Sequence, residues 1–350
     1  MHPTSEALPD LIQNEAELDE HLTLPRAPLL GAVRQWQSPL VVLGAGGKMG
    51  PTLAALAKRA AEAAGHQLEV IAISRFSDAR SKRWLETHGV RTYTADLLRR
   101  SEVAGLPESP NVVFLVGLKF GTAQNPSLTW AVNTVVPALV MERYAREARL
   151  VALSTGNVYP MVPTNGPAPT EGHSLTPLGE YANAAVARER VFEYFSQKDR
   201  TPAAILRLNY ATELRYGVLV DIGRKIASQE PIDVTNGWFN CIWQRDANEM
   251  ILRSLSLAKS PAEAWNLTSP AKFSVRQIAE HLGELIGVSP RFTGYDSETA
   301  LLSDSGKLCS VLGKPPTPME MMLRWTAHWV KTGGRSLDKP THFEVRDGRY

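Results

Sequence analysis

A glycine-rich run that follows a short apolar segment is the first part of the sequence suited to chemistry. The residues that we assign to phosphate binding in this run are Gly44, Gly47, Lys48, Met49 and Gly50. Between a strand and a helix, glycines at every third position permit a tight turn and let the backbone approach a pyrophosphate. The first N–H groups of the helix then point at the ligand. This spacing predicts a dinucleotide-binding loop, and a glycine-rich connector in an unrelated α/β fold is the alternative.

The end of the next apolar segment bears on which dinucleotide binds. Proteins of this kind that prefer NAD usually carry an acidic residue there, which accepts hydrogen bonds from the adenosine ribose. The sequence instead has Ser74 and Arg75, and a guanidinium can pair with the 2′-phosphate of NADP. We therefore expect a nicotinamide dinucleotide with NADP favoured over NAD. The alternative is that Arg75 is simply exposed.

Short apolar segments alternate with longer amphipathic segments along much of the chain. The predicted strands are 40–43, 68–73, 112–116, 150–153 and 203–208. The predicted helices are 51–64, 79–88, 127–146, 180–196, 218–228, 246–257, 274–286 and 318–330. Strands that alternate with helices are typical of a parallel sheet covered on both faces. The pattern predicts an α/β protein with a Rossmann-type doubly wound parallel sheet and a smaller C-terminal substrate-binding lobe.

The same alternation of apolar and amphipathic segments indicates how the chain is divided into domains. We expect an N-terminal arm (1–37) with short helices near residues 10–20, and a dinucleotide-binding Rossmann domain (38–210). A substrate-binding lobe (211–335) and a C-terminal tail (336–350) follow. The boundary at 210 is soft, because late segments of such folds often return to the main sheet.

Composition excludes several classes of protein. The 350 residues include 38 basic and 36 acidic side chains, for a formal charge of +2. This near-balance argues against partners such as nucleic acid or a membrane surface. The two cysteines, Cys241 and Cys309, and the eight histidines show no metal-ligand spacing. The longest apolar stretch, 112–118, is far shorter than the roughly 20 residues of a membrane helix. The acidic first thirty residues do not read as a signal peptide, so we expect a cytoplasmic protein that binds a small molecule.

The segments Ala95-Asp96-Leu97, 113–119 and 206–210, together with the glycine loop, resemble a known family. This family is the extended short-chain dehydrogenases/reductases, which include nucleotide-sugar epimerases and dehydratases, and the resemblance covers roughly residues 38–335. It implies that the aspartate touches the adenine and that a lysine contacts the cofactor. The further cofactor-binding positions that it implies are Asp96, Leu97, Gly117, Lys119 and Asn209.

The catalytic positions implied by the resemblance are only partly kept. The segment 153–159 is similar to the family's S-[ST]-x-x-V-Y motif, which makes Thr155 the hydroxyl that hydrogen-bonds the reacting oxygen. Tyr181 stands at the tyrosine of the Y-x-x-x-K motif, where it would exchange a proton with the substrate. Ala185 stands where the family has its lysine.

The missing lysine has a chemical consequence. A phenol ordinarily ionises near pH 10, so nearby positive charge is needed for it to act as a base near neutrality. We therefore expect the change to harm oxidation more than reduction, and we expect Lys119 to supply part of the charge. Arg188 lies on the same helix face one turn beyond Ala185. We expect it to be a surface or substrate-contacting residue.

Two functions from different classes remain. The first is an NAD(P)-dependent oxidoreductase, epimerase or dehydratase that acts on a hydroxyl or carbonyl of a sugar-like small molecule, and the resemblance suggests a homodimer. The second, favoured by Ala185, is a dinucleotide-binding regulatory or partner protein without catalysis. Some later residues either line a sugar or anion pocket or serve only packing and surface roles: Arg215, Arg224, Trp238, Trp243 and Arg245.

Overall fold

The centre of the molecule is a seven-stranded sheet. A computed structural model describes residues 8–119, 121–122, 124–146, 148–339 and 341–349. The strands of the sheet are β1 (Leu40–Leu43), β2 (Val70–Ser74), β3 (Arg91–Thr94), β4 (Asn111–Phe114), β5 (Arg149–Thr155), β6 (Ala203–Leu208) and β7 (Glu263–Leu267). They are ordered β3-β2-β1-β4-β5-β6-β7, and every neighbouring pair is parallel. The prediction of a Rossmann-type doubly wound sheet is confirmed.

Helices cover both faces of this sheet and form a second, smaller core. The helices are α1 (Glu15–Thr23), α2 (Ala27–Val33), α3 (Gly50–Ala63), α4 (Ala79–Thr87), α5 (Arg100–Ala104), α6 (Pro126–Trp130), α7 (Val136–Arg143), α8 (Gly179–Asp199), α9 (Val218–Ala227), α10 (Gln244–Arg253), α11 (Val275–Ile286), α12 (Gly306–Leu312) and α13 (Met319–Lys331). A π-helical turn (Ala131–Val135) joins α6 to α7, and 3₁₀ turns lie at Gly156–Val158 and Ser254–Leu257.

Strand β1 shows why the sheet has two covered faces. Its four residues are all apolar and fully buried. Because successive side chains of a strand point to opposite faces, Leu40 and Val42 pack with α2, α3 and α10, whereas Val41 and Leu43 pack with α7 and α8. No face of this strand meets water, which explains its continuous apolar run.

The smaller core is built mainly from α9, α11 and α13. Helix α1 from the N-terminal arm joins it, with Leu18 and Leu22 fully buried there. Short two-residue strands pair outside the main sheet at Val162–Pro163, Ala211–Thr212, Ile232–Asp233, Trp238–Phe239, Ile242–Trp243, Phe273–Ser274, Phe292–Thr293 and Thr299–Ala300. Within the described ranges, no helix combines the length and apolar character needed to cross a bilayer.

Some elements differ from the sequence pattern. Strand β3 was not predicted, because its sequence RTYT is polar and lies at the half-exposed edge of the sheet. The single helix predicted over 127–146 is instead α6, the π-helical turn and α7. Strand β7 returns to the main sheet beside β6, as late segments of such folds often do. The four-part division of the chain stays a prediction.

Candidate active site

A cleft of about 1020 Å³ opens where β1, β4, β5 and β6 end. Ligands of doubly wound sheets bind at this edge, beyond the carboxyl ends of the strands. The predicted site residues that line the cleft are Gly44, Gly47, Lys48, Met49, Gly50, Gly117, Lys119, Thr155, Tyr181 and Asn209. One cavity therefore contains the glycine loop and both hydroxyl groups predicted to be catalytic.

The glycine loop forms a narrow cradle between β1 and α3. Gly44 has a φ of +81°, which favours glycine, and a Cβ there would lie 3.0 Å from Val116 Cγ2. A Cβ on Gly50 would lie 2.5 Å from the Cα of Ala45. Only a glycine at this position lets the first turn of α3 come so close to the loop. The N-terminus of this 14-residue helix thus faces the cleft, and the arrangement fits the diphosphate of a dinucleotide.

The residues predicted to bind the adenosine half lie elsewhere. Ser74 packs against the glycine loop, since a Cβ on Gly46 would come within 2.7 Å of its Oγ. Arg75 is exposed. Neither residue is among the described residues that line the cleft. At this end of the cleft the lining residues include Ser77, Asp78, Arg80, Ser81 and Trp84. Roles for Ser74 and Arg75 in cofactor binding stay predictions.

Asp96 and Leu97 also lie outside the lining of the cleft as described. The Asp96 carboxylate accepts a hydrogen bond from the backbone N–H of Leu98 at 3.1 Å and stabilises its own turn. Leu97 is buried with the apolar residues of the α7 face. Their predicted contact with the adenine stays a prediction.

Thr155 and Tyr181 reach the cleft from different elements. Thr155 ends β5; its hydroxyl donates to Asn157 Oδ1 at 2.9 Å and accepts from Asn157 N–H at 3.2 Å. Tyr181 lies in the first turn of α8, which begins at Gly179, and its side chain is largely buried. Both side chains line the cavity, so the two predicted hydroxyl groups are brought to one site.

The position of the missing lysine is apolar. Ala185 is fully buried and packs with Val158 and Tyr159. It is not among the described residues that line the cleft. The side chain at this position therefore serves packing.

Arg188 corrects a prediction, because it is a buried residue and not a surface one. It is 3% exposed and lies beneath the loop that follows β4. Its Nη1 donates to the carbonyl of Val116 at 3.1 Å and to Asn133 Oδ1 at 3.0 Å. It does not line the cleft as described. A Cβ on Gly117 would lie 2.6 Å from Nη1, so the glycine is needed for this close approach.

Behind the cleft, a buried hydrogen-bonded ion pair joins α8 to the sheet. Arg207 donates to Glu189 from Nη2 at 2.7 Å and from Nε at 3.1 Å. Ser154 donates to the same carboxylate at 2.5 Å, and the Tyr159 hydroxyl accepts from Arg207 at 2.7 Å. Tyr159 donates in turn to Asn266 Oδ1 at 2.8 Å. This network fixes β5, which carries Thr155, against α8, which carries Tyr181.

Asn209, just after β6, lines the cleft and is 3% exposed. Its Oδ1 accepts from Ser303 Oγ at 3.0 Å. Its Nδ2 is buried and has no hydrogen-bond partner among the described residues. An unsatisfied buried donor costs about 1–3 kcal/mol. A ligand oxygen in the cleft would satisfy it, which fits the predicted binding role.

Two lysines of the cleft have perturbed proton affinities. Burial and, to a smaller extent, the positive charges of Lys119 and Lys339 lower the pKa of Lys48 from 10.5 to about 7, and Asp221 acts in the opposite direction. Burial also lowers the pKa of Lys119 to about 8, with Glu344 acting the other way. Lys48 Nζ lies 3.3 Å from the centre of the Tyr216 ring. Groups with pKa values near neutrality are typical of functional sites.

One wall of the cleft was not predicted from the sequence. That wall belongs to residues 335–339 and 341–349, and its lining residues are Arg335, Leu337, Asp338, Lys339, Thr341 and His342. Arg215, a candidate pocket residue, does line the cleft, where it pairs with Glu213 at 3.2 Å and Asp19 at 2.9 Å. Trp243, another candidate, is instead buried in the smaller core.

Comparisons with known proteins identify the family and the fold. Residues 40–233 match the model of the NAD dependent epimerase/dehydratase family. No curated protein sequence matches the chain.

Solved structures with the same fold are numerous. A UDP-glucuronic acid 4-epimerase from Bacillus cereus, in complex with UDP-glucuronic acid and NAD, has a TM-score of 0.71 at 16% identity, over 84% of this chain and 99% of its own. A Thermus thermophilus UDP-glucose 4-epimerase in complex with NAD has a TM-score of 0.67 at 18% identity, over 83% and 97%. A Thermotoga maritima UDP-glucose 4-epimerase with UDP-glucose also has a TM-score of 0.67, at 16% identity, over 84% and 99%.

Proposed function

Because the chain belongs to the NAD dependent epimerase/dehydratase family, we propose that it binds a nicotinamide dinucleotide in the cleft. We further propose that it acts on a hydroxyl or carbonyl of a sugar-like small molecule. When bound, the dinucleotide accepts or returns a hydride. The observation that carries the proposal is the opening of the glycine loop, Thr155 and Tyr181 into the same cavity.

The similar solved structures support this choice of cofactor and substrate. Those from Bacillus cereus and Thermus thermophilus contain NAD, and those from Bacillus cereus and Thermotoga maritima contain a UDP-sugar. The glycine cradle and the unsatisfied Asn209 Nδ2 fit a bound ligand in this chain as well. For the choice between dinucleotides we keep NADP, on the argument that Arg75 stands where an NAD-preferring protein has an acid.

Thr155 would hold the reacting oxygen. Its hydroxyl already donates one hydrogen bond and accepts one, both with Asn157. A hydroxyl has two acceptor lone pairs, so one remains to accept a hydrogen bond from a substrate alcohol. To donate to a substrate carbonyl, the hydroxyl hydrogen must turn away from Asn157. The same residue can therefore bind the oxidised and the reduced substrate.

Tyr181 would move the proton. It donates its phenolic hydrogen to the oxygen of a carbonyl that is being reduced, and takes a proton from an alcohol that is being oxidised. Since Ala185 provides no charge, the candidates to stabilise a phenolate or alkoxide are cations that line the cleft, and we propose Lys119 and Lys48 for this role. A cation within a few ångströms favours the ionised form of an acid.

A second function has one observation in its favour. The buried, apolar Ala185 removes the lysine on which the family's proton transfer depends. A protein that binds a dinucleotide to regulate or recruit a partner needs the glycine loop but not Thr155 or Tyr181. Dinucleotide binding without turnover on any sugar-like alcohol or ketone would favour this second function.

Calorimetric titration with NAD and NADP tests the shared part of both proposals. Gly47→Val places a side chain in the loop that lines the cleft and should abolish binding. Gly172→Val is the matched control, because a Cβ at that position meets nothing within 4 Å. If neither dinucleotide binds the unchanged protein, or if the Gly47 variant binds as well as the control, the proposed site is wrong.

A further inference from the structure

A charged arginine is buried behind the cleft. Arg188 on α8 is 3% exposed, and its Nη1 donates to two neutral acceptors, the carbonyl of Val116 and Asn133 Oδ1. Its Nε is buried without an acceptor, and no carboxylate in the described part of the chain forms an ion pair with the guanidinium. Because a guanidinium stays protonated in proteins, a full positive charge is enclosed here.

Arg207, a second buried arginine that contacts α8, has a counter-ion. It pairs with the Glu189 carboxylate at 2.7 Å, and Ser154 donates to the same carboxylate. Glu189 follows Arg188 directly in the chain, yet its oxygens are engaged by Arg207 and Ser154. A buried charge without a counter-ion destabilises the folded protein, and an apolar side chain of similar size would pack there at lower cost. Packing alone therefore does not explain an arginine at position 188.

The guanidinium has a fixed place relative to the cleft. A Cβ on Gly117 would lie 2.6 Å from Nη1 of Arg188, so the charge lies immediately behind the backbone of Gly117, which lines the cleft. Asn133, in the π-helical turn, donates from Nδ2 to the carbonyl of Thr129 at 2.8 Å. This bond fixes the amide whose Oδ1 accepts from Arg188. One layer of backbone thus separates the charge from a ligand that contacts Gly117.

Gly117 follows β4, in the half of the sheet that receives the nicotinamide. A doubly wound sheet binds a dinucleotide across its two halves, with the adenosine ribose at the end of β2. The nicotinamide half then lies at β4, β5 and β6, where the cleft also contains Thr155 and Tyr181. Under the function proposed above, a hydride passes between the nicotinamide ring and a substrate carbon near these two hydroxyl groups. The charge of Arg188 is therefore on the nicotinamide side of the cleft.

The two redox forms of a nicotinamide ring respond differently to a nearby cation. The oxidised ring carries a positive charge, whereas the reduced ring is neutral. Repulsion between unit charges within about 10 Å of each other in a protein weakens binding by about tenfold. A fixed cation behind the cleft therefore weakens binding of the oxidised form and leaves binding of the reduced form almost unchanged.

We propose that Arg188 determines which redox form of the dinucleotide the cleft prefers, by making the reduced form bind more tightly than the oxidised form. The inference rests on the function proposed above and adds a residue that belongs to no motif. This preference favours transfer of a hydride from a substrate alcohol to the dinucleotide, with the hydroxyl proton taken by Tyr181, over the return of both. Arg188 thus supplies, from behind Gly117, a positive charge that Ala185 does not provide.

The affinities of the two redox forms test the proposal. Calorimetry with NADP and NADPH gives the ratio of their dissociation constants, and NAD and NADH replace them if the protein prefers that pair. Arg188→Gln removes the charge and keeps a hydrogen-bond donor, so the ratio of oxidised to reduced should fall about tenfold through tighter binding of the oxidised form. Arg188→Lys keeps the charge and should keep most of the ratio. Arg190→Gln, at an exposed arginine of the same helix, is the matched control and should change the ratio less than about twofold.

An arginine with a merely structural role gives a different result. If Arg188→Gln weakens binding of both forms by the same factor, the side chain only supports the loop after β4 and the proposal is wrong. An unchanged ratio contradicts it as well, and so does equal affinity of the unchanged protein for the two forms. If neither form binds to the unchanged protein, the proposed function itself fails.

A second variant keeps the arginine and neutralises its charge. Asn133→Asp places a carboxylate oxygen where the amide oxygen now accepts from Nη1 at 3.0 Å. The ratio should fall in this variant too, because the guanidinium gains a counter-ion. Circular dichroism identifies the variants that fold, and Asn133→Asp decides the proposal if Arg188→Gln does not. An unchanged ratio in a folded Asn133 variant would contradict it.

The lysines of the cleft are a competing source of positive charge, and pH separates the two sources. The pKa values of Lys48 and Lys119 are about 7 and about 8, so at about pH 9 they have lost most of their charge while a guanidinium keeps its own. The tenfold difference in ratio between the unchanged protein and Arg188→Gln should therefore be present at about pH 7 and at about pH 9. If the difference disappears at the higher pH, the lysines set the preference and the role of Arg188 is wrong.

Discussion

Two groups of charged residues lie near the end of β5 and are arranged in opposite ways. In the buried network, the fully buried carboxylate of Glu189 forms an ion pair with the guanidinium of Arg207, so opposite charges face each other. In the cleft, Lys48, Lys119 and Lys339 bring charges of one sign together. The network satisfies its own members, whereas the lysine cluster has groups whose proton affinity has moved towards neutrality.

The two arrangements predict different effects of substitution. A buried pair is costly to break, because the remaining partner is left charged without water or a counter-ion. Like charges that lie close together make the folded protein less stable than it could be. Changes in the two regions should therefore affect different measurements.

The largest effect is expected on turnover, from Tyr181→Phe. Loss of the phenolic proton should lower the turnover number by about 10²–10⁴-fold, the usual range for a lost general acid or base, and leave dinucleotide affinity almost unchanged. Tyr194→Phe, on the exposed face of the same helix α8, is the control. Turnover of the Tyr181 variant equal to that of the control would remove the tyrosine from the chemistry.

Next in size is the effect of Glu189→Gln on stability. Arg207 would keep its charge in a buried position without a carboxylate, so the free energy of unfolding should fall by about 3–5 kcal/mol. Urea denaturation measures this change. Glu193→Gln breaks the more exposed pair of α8 with Arg190 and should cost less than about 1 kcal/mol. Equal losses in the two variants would show that the network is not specially stabilising.

Lys48→Met should raise the free energy of unfolding, whereas Glu189→Gln lowers it. The pKa of Lys48 falls from 10.5 to about 7 on folding, so between these values the unfolded chain binds more protons and stability rises with pH. Below pH 7, Lys48 is protonated in both the folded and the unfolded state, so the full free-energy cost of burying its charge remains. After allowance for solvent screening of a half-buried group, the variant should be about 1 kcal/mol more stable than the unchanged protein at pH 7. Its advantage should shrink towards pH 10. A destabilised variant at pH 7 would mean that Lys48 belongs with the stabilising charges.

The smallest effect is expected from Arg75→Ala on cofactor preference. An exposed guanidinium that pairs with the 2′-phosphate contributes about 1 kcal/mol, so affinity for NADP should fall about fivefold while affinity for NAD stays constant. Arg83→Ala, an exposed arginine of α4, is the control. If the unchanged protein already binds NAD as tightly as NADP, the argument from Arg75 is wrong and the fold is unaffected.

Local sequence was enough to predict the sheet and its glycine loop. Strand β1 is an unbroken apolar run, and Gly44 and Gly50 meet backbone requirements that no other residue fulfils. The edge strand β3 was missed, because a half-exposed strand needs no apolar pattern. The burial of Arg188 was also missed, since its partners Val116 and Asn133 lie 72 and 55 residues away.

The presence of Lys48, Lys119 and Lys339 in one cleft could not be predicted from the sequence. Lys48 and Lys119 each belong to a motif, but their proximity depends on how β1 and β4 pair in the sheet. Lys339 belongs to no motif at all, and its place is set by the hydrogen bonds of Thr341 to Asp221. Assembly of a site from separate segments is a property of the fold.

The way in which α1 joins the smaller core has a kinetic consequence. The Nε1 of Trp325 on α13 donates to the carbonyl of Pro9 at 2.9 Å, across 316 residues of sequence, and the His21 ring on α1 lies 5.0 Å from the same indole. Contacts this distant in sequence form slowly, because a very long loop must close before they contribute. Refolding should therefore complete the parallel sheet before the smaller core, and the wall that holds Lys339 should reach its final packing last.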